Sequence, residues 1–505
     1  MVRRAKNKDS CEDENSGNES QRTQESGAGS CYLDDDLAHL TKLRSGPHEH
    51  LSRAIGGRKL KLPVSPVTML AARESNFSGR GRFSTSDSCH MLSRFLPTHG
   101  PTKLDEIRSR TYVSQFSADG SLFVAGFQVF FPFVVIFVSF EVEEAAVFSS
   151  GNAYLITFIS YQRSQIRVYN VEKDWKVQKD IMAKSLRWTI TDTCLSPDQR
   201  FLVYSSMSPL VHIVNIQSAT TESLANITEI HDGLNFSVDD NDDEDEISIF
   251  SVKFSTDGRE LVAASGDGSI YVYDLGANKL NIRITAHLSD VNTVCFADES
   301  GNLIYSGSDD KLCKVWDRRC LVSRGQAAGV LTGHLEGITY IDSRGDGRYF
   351  ISNGKDQTTK LWDIRKMTSN ASPQHESDWD YRWMEYPQKA RKLKHANDLS
   401  LATYKGHSVL CTLIRCYFSP IYSTAQKYIY TGSSDCSVYI YDLVSGARVA
   451  MLDYHDAPVR DCSWHPIYPM LVSSSWDGVI ARWDFPGDGL QPLPKPKRNH
   501  RRIIY

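Results

Sequence analysis

Along most of the chain, short apolar stretches alternate with polar positions at a period of two, and turn residues interrupt them every few positions. Ile270-Tyr271-Val272-Tyr273 and Val438-Tyr439-Ile440-Tyr441 are β-branched and aromatic runs of the kind that form strands. Ser117-Ala118-Asp119-Gly120, Ser196-Pro197-Asp198 and Ser255-Thr256-Asp257-Gly258 supply turns between paired strands. One phrase recurs: small residues, an Asp, a few alternating residues, then an aromatic or apolar residue followed by Asp or Asn. The closing pairs are Tyr169-Asn170, Val214-Asn215, Tyr273-Asp274, Trp316-Asp317, Trp362-Asp363, Tyr441-Asp442 and Trp483-Asp484, spaced by 45, 59, 43, 46, 79 and 42 residues. Four of these intervals share one period and two need insertions, so the chain reads as seven copies of one all-β unit.

A second regularity is independent of the first. Six positions before the closing residue stands an Asp in five repeats: Asp267, Asp310, Asp356, Asp435 and Asp477. Between 28 and 34 residues before the close stands a His in four of them: His287, His334, His407 and His455. His231, 42 residues ahead of Tyr273, is a fifth candidate. Together with Trp316, Trp362 and Trp483, these residues resemble the WD40 family, whose repeats run at roughly 40–45 residues. The resemblance implies a seven-bladed β-propeller in which each Asp sits in a tight turn and bonds its His, with the Trp packed alongside. A buried imidazole and carboxylate then satisfy each other, which gives these titratable groups a scaffold role rather than a catalytic one. The first two repeats lack both the Asp and the His.

Outside the repeats, residues 1–30 are rich in Glu, Ser, Asn and Gly, a composition expected to stay disordered. From about residue 31 to 105 an N-terminal arm follows. Asp34-Asp35-Asp36 ahead of Leu37, Leu40 and Leu43 suits a short amphipathic helix, and a second runs from about Ser86 to Phe95, stopped by Pro97. The arm either packs on the propeller or docks a partner. The propeller is expected over 106–486, with a basic tail from 487 whose Pro, Lys and Arg suggest nuclear import. The acidic run Asp239 to Glu246 reads as a solvated loop. An insertion at about 366–399 carries Trp379, Tyr381, Arg382 and Trp383, either as a partner-binding element or as aromatics that pin the loop.

One stretch breaks the pattern. Phe127-Gln128 should lead almost directly to Ser164-Gln165-Ile166, yet Val129 to Gln162 intervene and hold seven of the chain's 21 Phe. The apolar part, Phe127 to Phe140, is shorter than the roughly 18–20 residues of a membrane span. It reads as a translated intron. Every Val codon begins with the bases of a splice donor, one Gln codon ends with those of an acceptor, and a pyrimidine-rich intron translates into Phe, Val, Ile and Ser. In the protein it is expected to loop out of the first blade and expose an apolar patch.

Composition narrows the function. A net charge of −4 argues against bulk electrostatic binding to nucleic acid. Eleven scattered cysteines without a CxxC pair read as reduced thiols, and the polar N-terminus has no secretory signal, so a soluble nuclear or cytoplasmic protein is expected. There is no Walker loop, no HExxH, no clustered Cys/His spacing and no G-x-S-x-G; His48-Glu49-His50 stands alone. No enzyme activity, metal or cofactor is expected.

Two adjacent repeats end with more than Trp-Asp. Ile304 to Arg319 and Phe350 to Arg365 align as sixteen-residue boxes, each with Asp at the seventh position and closing as Trp316-Asp317-Arg318-Arg319 and Trp362-Asp363-Ile364-Arg365. The boxes resemble the DWD box of WD40 proteins that dock on the DNA-damage-binding adaptor of cullin-4 RING ubiquitin ligases. By position the resemblance implies that Arg319 and Arg365 contact the adaptor, oriented by Asp317 and Asp363. An Arg fork held by a carboxylate makes directed bonds that Lys does not reproduce. Further phrases, Gly337-Ile338-Thr339, Ser352-Asn353-Gly354-Lys355-Asp356-Gln357, Trp379-Asp380-Tyr381-Arg382-Trp383 and Leu413-Ile414-Arg415-Cys416, are similar to the WD repeat-containing protein 23 family of ligase substrate receptors and its plant LEC-fourteen-B-type counterparts. What this implies is recruitment of a protein for ubiquitination, with no nucleic-acid or membrane partner. The alternative is a WD40 scaffold in a chromatin or RNA-processing assembly.

Overall fold

The computed structural model describes residues 35–46, 65–76, 79, 81–130, 134–139, 154–159, 162–184, 187–216, 231–237, 247–320, 326–369 and 379–485. The disorder expected over 1–30, the acidic run, His48-Glu49-His50 and the basic tail all lie outside them. The alternating runs of the sequence become strands that bury both faces, because each sheet is sandwiched between its neighbours; Ser269–Asp274 and Thr358–Asp363 are buried along nearly their whole length.

Among the described residues these strands form seven four-stranded antiparallel sheets and one two-stranded hairpin. The first sheet contains Ser109–Phe116, Leu122–Phe130, Gln162–Asn170 and Lys176–Met182, and the second Ile190–Leu195, Phe201–Ser206, Leu210–Asn215 and His231–Asn235. The third runs from Ile249 to Thr285, the fourth from Val291 to Leu331, the fifth from Ile338 to Lys405 and the sixth from Cys416 to Asp453. The innermost strands pack on one another round a ring, and Ser109–Phe116 meets both Ile190–Leu195 and Val459–Trp464, so the ring closes. The protein is a seven-bladed β-propeller. Every closing pair read from the sequence ends the third strand of a blade.

Closure uses a strand the sequence reading placed in the arm. The seventh sheet takes Val459–Trp464, Leu471–Ser475 and Val479–Asp484 from the end of the propeller and its outermost strand, His99–Glu106, from before the first blade. The expected boundary at 106 is therefore corrected. The strand is half exposed and irregularly paired, which erases the alternation that marks the others. From it the chain crosses to the first blade beside Gly478, whose carbonyl accepts from Ile107; a Cβ on Gly478 would collide with that crossing backbone.

Turns sort onto two rims. The second-to-third turns and the links between blades share the upper rim; the inner-to-second turns and the third-to-outer links share the lower one. In five blades the upper turn is held by the recurrent Asp, which accepts from the amide two residues on: Ser269 at 3.0 Å, Leu312 at 3.1 Å, Thr358 at 3.1 Å, Ser437 at 3.3 Å and Val479 at 2.8 Å.

The anomalous stretch prolongs the first blade's second-to-third turn. Within it Val134–Ser139 pairs with Tyr154–Ile159 as a separate two-stranded antiparallel sheet. In blades three to seven a cross-strand pair six residues apart flanks this turn: Ala264 with Ile270, Gly307 with Cys313, Asn353 with Thr359, Gly432 with Val438 and Ser474 with Ile480. Each second member lies three residues before the closing residue. The first blade's counterpart is Gly126 with Ile166, and removing Val129 to Gln162 sets them six apart as well. A chain joined from Gln128 to Arg163 is accordingly expected to fold with the same far-ultraviolet circular dichroism per blade, an equal or higher melting midpoint and a larger soluble yield, since a lone apolar two-stranded ribbon adds little stability and invites aggregation. Loss of the cooperative transition on excision, or mature message that uniformly retains the stretch, contradicts this reading.

Among the described residues the arm holds three helices: α1 (Asp35–Ser45), α2 (Pro66–Glu74) and α3 (Thr85–Leu92). α1 buries Leu37 and Thr41 and half-buries Leu40, but Leu43, expected on the same stripe, is exposed. Six residues beyond Leu37, it points about 240° round the helix. α3 opens on a capping box between Ser84 and Asp87 and stops at Leu92, three residues short of the expected end. α2 was not anticipated, although Ser65 as N-cap and Pro66 in the first turn are a start signal. α1 and α3 lie on the lower rim of blades five and six: Arg344 Nη2 donates to Thr41 Oγ1 at 3.3 Å, Cys89 Sγ to the Ile421 carbonyl at 3.3 Å, and Tyr428 to the Ser93 carbonyl at 2.8 Å.

Candidate functional site

The titratable residues singled out by spacing divide into two sets. In three blades they form a closed chain of four side chains. His287 Nδ1 lies 2.8 Å from Asp310 Oδ2 and its Nε2 2.8 Å from Ser306 Oγ, which accepts from Trp316 Nε1 at 2.9 Å. His334, Asp356, Ser352 and Trp362 repeat this at 3.0, 2.6 and 2.7 Å, and His455, Asp477, Ser473 and Trp483 at 3.0, 2.8 and 3.0 Å. Burial alone would raise the Asp356 carboxyl, but the facing His334 and the Thr358 hydroxyl hold it down at about 2. Every polar atom of these chains spends its bonding capacity inside the blade, which leaves none aimed at a substrate. The serine went unnoticed in the sequence, yet it stands ten residues before each Trp.

His407 and Asp435 do not pair. His407 Nδ1 is 3.1 Å from the Tyr441 hydroxyl and Nε2 3.0 Å from Asn353 Oδ1, while Asp435 accepts from the Tyr439 hydroxyl at 2.6 Å. His231 likewise meets the Tyr204 hydroxyl at 2.6 Å, and Asp267 takes the Tyr271 hydroxyl at 2.7 Å and Arg283 Nη2 at 3.1 Å. The cause is local. Both blades close with Tyr, carry a second Tyr four residues after the Asp, and have Thr431 or Ala263 where the other three have Ser. The second tyrosine's hydroxyl reaches the carboxylate first.

The two box arginines share the lower rim, each directly after a third strand. Arg319 Nε and Nη2 donate to Asp317 at 2.9 and 2.7 Å; Arg365 Nε and Nη2 donate to Asp363 Oδ2 at 3.0 and 2.8 Å. Each Asp also accepts its arginine's backbone N–H at 3.0 Å, so a two-residue turn fixes the fork. The side chains remain 66% and 55% exposed, whereas Asp363 is fully buried. The bond from Arg319 holds the Asp317 carboxyl below the usual range. The forks are thus preoriented donors presented to solvent. They differ in one respect that the sequence reading missed: Asp36 of α1 lies 3.6 Å from Arg365 and 3.2 Å from Arg348, which also reaches Asp363.

The aromatic insertion connects the rims. It leaves the lower rim after Asp363, pairs Thr368 with Val330 along the outer edge of blade four, and reaches the upper rim where the Tyr381 carbonyl accepts from Cys411 at 2.9 Å. Tyr381 is buried under Lys355, 4.1 Å from its ring, and Trp379 donates to the Glu385 carbonyl at 3.0 Å. Tyr381 pins the loop, while the Trp379 bond closes within it. Trp383 is exposed beside Arg382.

At the axis, Arg415 from one of the family-like phrases ties three blades together. Its Nη2 donates to Asp192 at 2.9 Å and its Nη1 to Asp461 at 3.4 Å, its guanidinium lies over Tyr340, and Lys253 meets Asp192 at 2.9 Å. Against the burial that would raise it, Asp192 is held at about 2 by Arg415 and Lys253. Burial leaves Asp342 raised to about 7. Among the described residues no three His, Cys, Asp or Glu converge to hold a metal, and no helix is long and apolar enough to cross a membrane.

A family model for the WD domain, G-beta repeat, matches residues 243–274, 278–317, 325–363, 399–442 and 446–484, which are blades three to seven. The chain is 65% identical over 477 residues to the LEC14B homolog of Prunus armeniaca, covering 93% of each. It is 61% identical over 474 residues to the LEC14B protein of Lithospermum erythrorhizon, covering 93% of this chain and 92% of that one. It is also 38% identical over 342 residues to the DDB1- and CUL4-associated factor 11 homolog of Caenorhabditis elegans, covering 64% of this chain and 58% of that one.

Proposed function

Because the chain belongs to the LEC14B family of WD40-repeat proteins, related to DDB1- and CUL4-associated factors, we propose that it is a non-catalytic substrate receptor of a cullin-4 RING ubiquitin ligase. Its propeller is a WD40 protein-interaction domain. On this reading the lower rim docks the DDB1-type adaptor, and the upper rim with the exposed end of the aromatic insertion presents a protein for ubiquitination in the nucleus or cytoplasm. The observation that carries it is the pair of preoriented Asp–Arg forks, side by side on one rim and open to solvent. A chromatin or RNA-processing scaffold gives no reason for two such forks on adjacent blades, and the relatives' names favour the ligase.

Capture of purified adaptor by the full chain tests this directly. Charge-assisted bonds are worth about 1.5–3 kcal/mol each, so replacing both Arg319 and Arg365 by Ala is expected to weaken binding at least tenfold, with Lys at both positions restoring little. Unchanged capture by the Ala variant, or none by the wild type, overturns the proposal. Proteins that accumulate with the receptor only under proteasome inhibition then name the substrate.

A further inference from the structure

The inner-to-second turns of five blades are built alike. Ser117-Ala118-Asp119-Gly120, Ser196-Pro197-Asp198-Gln199, Ser255-Thr256-Asp257-Gly258, Asp298-Glu299-Ser300-Gly301 and Gly345-Asp346-Gly347 are short and polar, with an Asp that accepts bonds from its own turn. Blades six and seven replace this turn with the same tripeptide: Pro420-Ile421-Tyr422 and Pro466-Ile467-Tyr468. Tyr422 is 65% and Tyr468 61% exposed, and both isoleucines are nearly half exposed. Solvent-facing Ile-Tyr where five sister blades carry a short polar turn built on an Asp is a surface made for contact, since tyrosine joins a large apolar area to a polar tip and concentrates in the cores of interfaces.

The position of these turns says what meets them. Both lie on the lower rim, which carries Arg319 and Arg365 on blades four and five. From Arg365 to the blade-six turn the ground is continuous. Arg365 meets Asp36 of α1 at 3.6 Å; α1 reaches α3 where His90 Nδ1 lies 3.0 Å from the Ser45 carbonyl; and α3 rests on the blade-six turn where Cys89 Sγ donates to the Tyr422 carbonyl at 3.3 Å. Tyr468 packs at a tilt against His465, ring centroids 4.8 Å apart, which holds its ring at the surface. We infer that the twin Pro-Ile-Tyr turns are the apolar half of the surface that docks the adaptor, with Arg319 and Arg365 as its polar half. The inference rests on the docking reading above and gives it a footprint: a partner with acceptors facing the arginines and apolar recesses facing Tyr422 and Tyr468. A polar rim around buried aromatic anchors is how such interfaces divide affinity from orientation.

Binding of purified adaptor to the full chain, followed by biolayer interferometry, separates the possibilities. Tyr422→Ala with Tyr468→Ala is expected to weaken binding at least tenfold while the melting midpoint stays within two degrees of wild type. Hydrogen exchange on the wild-type complex gives an independent reading, with amides of 419–425 and 465–470 slowed by the adaptor. Affinity within twofold of wild type and no slowing in either turn overturn the inference, while loss with the arginine variants leaves the docking reading standing. Loss of a homodimer by the tyrosine variants without loss of adaptor binding assigns the surface to a second copy of this chain and also overturns it. If the wild type fails to bind, both proposals fall.

Discussion

Replacing Arg415 by Met is expected to lower the unfolding free energy by about 3–5 kcal/mol, the range for removing one partner from a buried ion network. The side chain is buried at the axis and bonded to carboxylates from two different blades, Asp192 and Asp461. Without it, Asp192 keeps Lys253, but Asp461 is left with hydrogen bonds from the Tyr417 hydroxyl and the Ser114 and Cys462 amides, and with the Arg460 charge acting on it without an ion-pair contact. Lys at 415 keeps the charge but not a fork wide enough to span both carboxylates, so it is expected to recover only part of the loss. Arg319→Ala, at the exposed fork, is expected to stay within about 0.5 kcal/mol of wild type. Urea midpoints of the three variants measure the contrast, and a loss at 415 of under about 1 kcal/mol contradicts it.

Acid should weaken the fold well before it protonates ordinary carboxylates. Burial holds His212, His407 and His465 down at about 4, below their ordinary 6.5. In the unfolded chain these imidazoles take up protons first as pH falls, so the folded state's advantage from keeping them neutral is complete above pH 6.5 and is lost on the way down to pH 4. Each contributes up to about 2–3 kcal/mol. Asp192 and Asp356, held at about 2, add a second window: their contribution is complete above their ordinary 3.8 and is lost between there and pH 2. The urea midpoint is therefore expected to fall markedly from pH 7 to pH 5, and less steeply in His407→Gln. A midpoint unchanged across that interval contradicts the assignment.

The repeat architecture was readable because its signals are local and redundant. Each closing pair is a strand end followed by a turn, and seven strand ends with five recurrent Asp residues leave little freedom. The three Trp-closed blades were legible to the level of the His–Asp bond, because the WD40 resemblance implied that pair and these blades keep its His and Asp 22 or 23 residues apart. His407 and Asp435 defeated the same rule because two nearby tyrosine hydroxyls decide the outcome, a contest visible only when the third strand is laid beside its neighbours. The strand His99–Glu106 was missed for the opposite reason: it pairs along one edge, buries little, and shows no alternation to read. Asp36 beside Arg365 and the twin Pro-Ile-Tyr turns depend on which rim each loop occupies. That is a property of the closed ring, absent from any single repeat.

That borrowed outer strand also sets a timetable. His99–Glu106 pairs with Val479–Asp484, which a ribosome delivers about 380 residues later. At roughly 5–20 residues per second the nascent chain waits on the order of 20 to 80 s with six blades made and the last one open. The waiting segment is suited to the delay. Pro101, Lys103, Asp105 and Glu106 discourage stray pairing with other unfinished chains, and two breaks in register interrupt the regular edge that such pairing needs. Birth of this protein therefore ends, rather than begins, with the earliest of its described strands.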